Sequence, residues 1–176
     1  MKPFVLKRLL LISAVALPLS VHAQLYDYQW PLGYDPHSTT IPDISLLDFT
    51  GDTVALYPYA FVNDLGFGAS GSFICDGEGQ LQLLTNNCAI YDFDFVMVPG
   101  TDSLTPGWGY NYYCDNQSYG GYPGKQHTVF VPQVGNDSII YLLHKDQTYL
   151  NPTVGILSTK LYLSTIVRQA GGGFSI

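Results

Sequence analysis

Lysine, glutamate and alanine are scarce in this chain, and no stretch carries the capped, three-to-four-residue apolar periodicity that an amphipathic helix needs. Helix is thereby excluded as the main architecture. Basic side chains number seven against fourteen acidic ones, a balance that repels nucleic acid and anionic lipid. Long apolar runs are also missing. The single candidate, Leu9–Leu19, is broken by Ser13 and Pro18 and is well short of the ~20 residues that span a bilayer. No Gly-x-Ser-x-Gly elbow occurs, since Gly68-Ala69-Ser70-Gly71-Ser72 ends in serine, so a serine hydrolase has no support.

What the chain does contain is tyrosine, phenylalanine, glycine, proline, asparagine and aspartate. Aromatic residues favour strands and the others favour tight turns, so the composition points to an all-β protein. The first residues read differently. Lys2, Lys7 and Arg8 precede the Leu9–Leu19 run, and Val21-His22-Ala23 offers small residues to a signal peptidase. The expectation is an export signal over residues 1–23, cleaved before Gln24, and a secreted or surface-exposed single domain over 24–176. That domain keeps four basic and fourteen acidic side chains, a formal charge of −10. No transmembrane segment is expected once the signal is removed.

Period-two apolar runs bounded by turn residues predict eight strands: 44–49, 53–57, 72–75, 80–85, 89–93, 128–131, 139–144 and 160–167. Thr50-Gly51-Asp52, Asp76-Gly77-Glu78-Gly79, Asn86-Asn87 and Gly135-Asn136-Asp137 supply the turns. Residues 24–43, with Trp30, Pro31, Pro36 and Pro42, read as an irregular lead-in, and residues 63–71 as a glycine-rich loop. Residues 98–125 read as one long loop rich in glycine and tyrosine; loops of that length in a compact domain are often functional. Gly171–Gly173 reads as a turn into a further strand at the end of the chain. Eight antiparallel strands at this spacing fit about two four-stranded propeller-like blades or, alternatively, a β-sandwich.

Three cysteines in an oxidising compartment leave one disulfide and one spare thiol. Cys75 lies within an apolar strand, whereas Cys88 follows a turn and Cys114 sits in a loop that needs tethering, so Cys88–Cys114 is favoured. The other two pairings, and no disulfide, stay open.

Candidate chemistry is sparse. Gly66-Phe67-Gly68-Ala69-Ser70-Gly71 matches a dinucleotide fingerprint in letters only, because a β run follows it where a helix is required. Asp76-Gly77-Glu78-Gly79 lacks the remaining oxygen ligands of a calcium loop. His127 and His144 have no accompanying ligand cluster, so no metal and no cofactor is expected. Asp92 and Asp94, two apart on a strand-like run, form the one carboxylate pair that could serve an exported carbohydrate-active enzyme. Trp108, Tyr110, Tyr112, Tyr113, Tyr119 and Tyr122 concentrate flat rings with polar edges in one loop. Such rings stack on sugars or anchor a protein partner, and they also serve to pack a loop onto a sheet.

The order of short motifs resembles a known group. Trp30-Pro31-Leu32-Gly33-Tyr34, Leu47-Asp48-Phe49, Ile74-Cys75-Asp76 with Gly79, and Thr85-Asn86-Asn87-Cys88-Ala89-Ile90 come first. Met97, Pro106-Gly107, Cys114, Gln126, Val129–Pro132, Tyr141-Leu142-Leu143-His144, Leu161-Tyr162 and Gly171–Gly173 follow. Together they resemble the N-terminal β-propeller-like region of Bacteroidota surface proteins exported by the type IX secretion system. Gly100-Thr101-Asp102 stands where that group has an Asn-Gly pair, and Gln80 where it has Asn. The resemblance implies further blades and a C-terminal sorting domain beyond this chain, which then reads as the opening of a propeller or as a gene fragment. It also implies O-glycosylation at Asp-Ser/Thr-aliphatic sites, which Asp52-Thr53-Val54, Asp102-Ser103-Leu104 and Asp137-Ser138-Ile139 match. The expected function is binding or adhesion without catalysis, with a glycan or a surface protein as partner and the aromatic loop as the site.

Overall fold

A computed structural model describes residues 25–33, 44–59, 71–115, 121–122 and 127–176. The expected export signal over 1–23, most of the glycine-rich loop, and Tyr119 lie outside the described residues. The described chain is all-β and antiparallel, and none of its sheets closes on itself. Its strands are β1 (Gln29–Gly33), β2 (Ile44–Asp48), β3 (Ala55–Tyr59), β4 (Ser72–Cys75), β5 (Leu81–Thr85) and β6 (Ile90–Asp92). They continue as β7 (Thr128–Gln133), β8 (Asn136–Lys145), β9 (Thr148–Asn151), β10 (Gly155–Leu157), β11 (Leu161–Arg168) and β12 (Phe174–Ser175). A helical turn, α1 (Trp108–Tyr110), runs into a π turn over Asn111–Asp115.

Three sheets stack, one more than in a simple sandwich. They have the orders β1-β2-β3, β4-β5-β6 and β12-β11-β8-β7; a separate hairpin, β9-β10, stands apart from them. The middle sheet is covered on both faces. Because side chains alternate along a strand, Leu83 and Leu84 enter different cores. Leu83 joins Ile74 and Ile90 against Phe130, Ile140, Leu142, Ile166 and Phe174 of the four-stranded sheet. Leu84 joins Phe73, Ala89 and Tyr91 against Ile44 and Leu46 of the first sheet. Both leucines are fully buried, each stabilising the fold by roughly 1.5–3 kcal/mol through area removed from water.

The turns that deliver these strands are built from side chain to backbone. Asp76 Oδ1 accepts from the N–H groups of Glu78 and Gln80 at 3.0 and 2.9 Å, so its carboxylate closes the β4–β5 turn. Gly79 in that turn has φ +85°, and a Cβ there would lie 3.0 Å from Tyr28 Cβ, so only glycine fits. After β5, Thr85 Oγ1 donates to Ala89 O at 2.6 Å and Asn86 Oδ1 accepts from Cys88 N at 3.0 Å. This polar turn is wholly buried, and its hydrogen bonds offset the cost of taking amide groups out of water.

Three expectations are corrected. The lead-in is not irregular throughout: β1 pairs antiparallel with β2, with Trp30 opposite Leu47, and Pro31 fits because the strand lies at a sheet edge. Residues 146–159 carry a hairpin that sequence alternation did not reveal, because Tyr149, Leu150, Ile156 and Leu157 are all partly exposed. The expected long loop contains the α1 and π turns. By contrast, Gly171–Gly173 does turn the chain into β12, which pairs with β11 through Arg168 and Phe174.

Cys75 is the free cysteine among the described residues. It is 2% exposed, donates to Gln29 O at 3.5 Å and accepts from Gln29 N at 3.4 Å. Burial pushes its thiol up to about 11, which removes the reactive thiolate at neutral pH. A thiol reagent is therefore expected to leave the native protein unlabelled and to titrate one group per chain after denaturation. Fast labelling of the folded protein would contradict the burial of Cys75.

Candidate functional site

Aromatic rings from two separate segments meet on one side of the molecule. A hollow of about 620 Å³ is lined by Trp108, Tyr112 and Tyr113 from the helical segment and by Tyr149, Gly155 and Ile156 from the β9–β10 hairpin. Trp108 is the shared ring. Its indole stacks on Tyr112 with centroids 5.1 Å apart and planes 12° from parallel, and meets Tyr149 at 5.6 Å and Tyr113 edge-on at 5.9 Å. Tyr112 is 47% exposed and Tyr149 43%, so these two present ring surface to solvent.

Four devices hold the rings in place. The Cys88–Cys114 disulfide ties the end of the π turn to the buried turn after β5. With the cysteines 26 positions apart in sequence, chain entropy puts its stabilisation at about 3.5 kcal/mol. Tyr122, fully buried against that disulfide, donates from its hydroxyl to Thr105 O at 3.1 Å, and burial pushes its phenol up in pKa so that the proton stays. Gly109 N donates to Gln147 O at 3.0 Å, joining α1 to the base of the hairpin. A Cβ on Gly109 would lie 2.8 Å from Gln147 Cβ and 2.9 Å from its carbonyl oxygen, so the contact requires glycine.

The fourth device is Asp146. Its Oδ1 accepts from Thr159 N at 2.6 Å and Lys160 N at 2.7 Å, and its Oδ2 accepts from Thr159 Oγ1 at 2.7 Å and Thr148 Oγ1 at 3.4 Å. One carboxylate thus pins both ends of the β9–β10 hairpin. Burial alone would raise its pKa, but the hydrogen bonds from Thr159 and Lys160 outweigh it and hold the group below the usual carboxylate range.

The residues singled out from sequence divide accordingly. Trp108, Tyr112 and Tyr113 come together in the hollow. Tyr110 and Tyr122 do not present stacking faces: Tyr110 donates to Asp102 O and Tyr122 is 1% exposed, so both act as struts. Tyr149 and Ile156 were missed, because the hairpin that carries them was missed. Glycine flanking two aromatics in Trp108-Gly109-Tyr110 is the one local signal of a close approach.

Elsewhere the candidate groups serve structure. Asp92 ends β6, and its Oδ1 accepts from Asp94 N at 3.0 Å and Val96 N at 2.9 Å, so the chain turns between the two carboxylates instead of placing them on one strand face. His144 Nδ1 bonds Thr105 Oγ1 at 2.9 Å and its Nε2 bonds Ser164 Oγ at 3.0 Å, with the ring stacked on Tyr162. His127 Nε2 lies 3.0 Å from the side-chain nitrogen of Gln147. Among the described residues no group of three metal-ligating side chains occurs, and no helix is long and apolar enough to cross a membrane. Thr53, Ser103 and Ser138 of the three short glycosylation-type motifs are exposed.

Fold and hollow define an all-β protein of antiparallel sheets with an aromatic-lined surface hollow. No protein-family model, curated protein or solved structure matches the chain.

Two expectations test this geometry. Gly109→Ala should separate α1 from the hairpin and quench the ring contacts, seen as a loss of near-ultraviolet dichroism; retention of the spectrum would refute the close approach. The second concerns pH. Burial lowers His144 from the ordinary 6.5 of a histidine to about 4, so the folded protein holds the ring neutral while the unfolded chain protonates it. Between pH 6.5 and 4 the unfolded state binds more protons, and stability falls as pH falls, by up to about 3 kcal/mol. Denaturant melts across that window should show this slope, and His144→Gln should flatten it.

Proposed function

We propose that this protein is an exported, propeller-like binding module that engages glycans through the hollow between Trp108, Tyr112 and Tyr149. The observation that carries the proposal is the placement of two half-exposed tyrosine rings beside one indole, assembled from distant segments and fixed by a disulfide, a glycine contact and a buried carboxylate. A wall of this kind offers flat apolar faces to the C–H side of a sugar ring and hydroxyl edges to its polar rim.

The propeller-like architecture draws its support from the β7-β8-β11-β12 sheet, an antiparallel four-stranded unit of consecutive hairpins interrupted only by the inserted β9–β10 pair. Export to the outer surface rests on the basic and apolar opening of the chain, on the disulfide and on the acidic surface.

The test is a glycan array followed by affinity electrophoresis with the best ligand. Tyr112→Ala and Tyr149→Ala should each weaken binding roughly tenfold, about 1.4 kcal/mol, with little change in melting temperature. Trp108→Ala should abolish binding and also loosen the hairpin, since three ring contacts depend on it. Absence of any glycan binding by the folded protein, or glycan hydrolysis abolished by Asp92→Asn, would overturn the proposal.

A further inference from the structure

A second recess opens between the β4–β5 turn and one end of the four-stranded sheet. It encloses about 90 Å³, roughly the liquid volume of three water molecules. Ile74 and Ile140, both buried, give it an apolar floor, which Ile139 and Pro132 extend. Charge of both signs lines the same space: Arg168 from the end of β11, Asp76 and Glu78 from the β4–β5 turn, and Asp137 from the start of β8.

Opposite charges lining one small recess ordinarily pair, and these do not. The Arg168 guanidinium donates to Gln82 Oε1 and lies 5.4 Å from the centre of the Phe174 ring. Its remaining N–H groups meet no acceptor among the described residues. Asp76 is not its partner because both carboxylate oxygens are committed, Oδ1 to the N–H groups of Glu78 and Gln80 and Oδ2 to Gln82 Nε2 at 2.8 Å. Gln82 therefore stands between carboxylate and guanidinium, with one end of its amide on each. It fixes the cation without neutralising it. The carboxylates of Glu78 and Asp137, both exposed, have no hydrogen-bond or ion-pair partner among the described residues.

A bare anion drawn to Arg168 would be repelled by three carboxylates, and a bare cation would meet the guanidinium. A molecule that carries both charges satisfies each side. The guanidinium fork takes a carboxylate through two parallel N–H···O bonds, and an ammonium donates to the two open carboxylates. The volume admits only a compact ligand, and the isoleucine floor suits a short aliphatic side chain.

We propose that this recess binds a small zwitterion, a short-chain α-amino acid, with its carboxylate on Arg168 and its ammonium between Glu78 and Asp137. Gln82 and Phe174 act as positioning residues for the guanidinium. The site shares no lining residue with the aromatic hollow, so it stands independently of glycan binding there.

The experiment titrates the purified protein with alanine, alaninamide and lactate, read by calorimetry and ligand-observed NMR. Alaninamide lacks the carboxylate and lactate lacks the ammonium, so each offers one end of the ligand. Alanine should bind saturably at millimolar concentration or below. The other two should bind about tenfold more weakly or worse, the loss of one charge-assisted contact. Arg168→Met should remove alanine binding. Asp137→Asn, a change at an exposed side chain, should weaken it severalfold with an unchanged melting temperature. Because Arg168 also contacts Gln82 and Phe174, Asp137→Asn decides the matter if Arg168→Met fails to fold. Absence of saturable alanine binding by the parent protein would overturn the proposal. So would lactate or alaninamide binding as tightly as alanine, or undiminished binding by Asp137→Asn.

Discussion

The fold depends on the middle sheet being buried on both sides. β5 cannot place Leu83 and Leu84 in different cores unless a sheet lies against each face, so the first and last sheets are held together by a layer only three strands wide. A short, two-faced strand leaves no surface for polar compensation. The turn that follows it is therefore also buried, and Thr85 and Asn86 satisfy its backbone with their side chains, Thr85 Oγ1 donating to Ala89 O and accepting from Asn87 N. That turn delivers Cys88, and through Cys88 the constraint reaches the aromatic segment more than twenty residues later.

Much of the sheet structure was legible because it obeys period two with recognisable turns. β2, β4, β5, β6, β7, β8 and β11 fall where alternating apolar residues bounded by glycine, asparagine or aspartate put them. The strands that escaped notice are those whose pattern does not come from a core. β1 carries a proline and a glycine and is fixed by pairing with β2, and β9 and β10 show no buried face to alternate against. The number of sheets was illegible for a related reason: strand spacing fixes hairpins but not which apolar layers meet.

The site was legible in half. The density of rings between Trp108 and Tyr122 marks the segment, yet sequence cannot separate a ring that packs from one that faces solvent. Tyr122 and Tyr112 look alike in the sequence; one is closed over a disulfide and the other half open. The second wall comes from Tyr149, whose neighbourhood looks like an ordinary loop until Asp146 is seen to gather Thr148, Thr159 and Lys160 around one carboxylate. The rule that buried carboxylates are paired or hydrogen-bonded predicts such a role only after burial is known.

Asp146 has a consequence for how this surface can vary. It fastens residues 147 to 159 at their two ends, and Lys145 and Leu161 on either side stay paired across the sheet regardless of what lies between. Between the fixed contacts of Gln147, Thr148 and Thr159, residues 149–158 belong to none of the buried clusters, so that stretch is a cassette that can change without disturbing the layers beneath. Natural variation confined to that cassette would redraw one wall of the hollow while the disulfide-held wall stays fixed, so the shape of the hollow can diversify at little cost to folding.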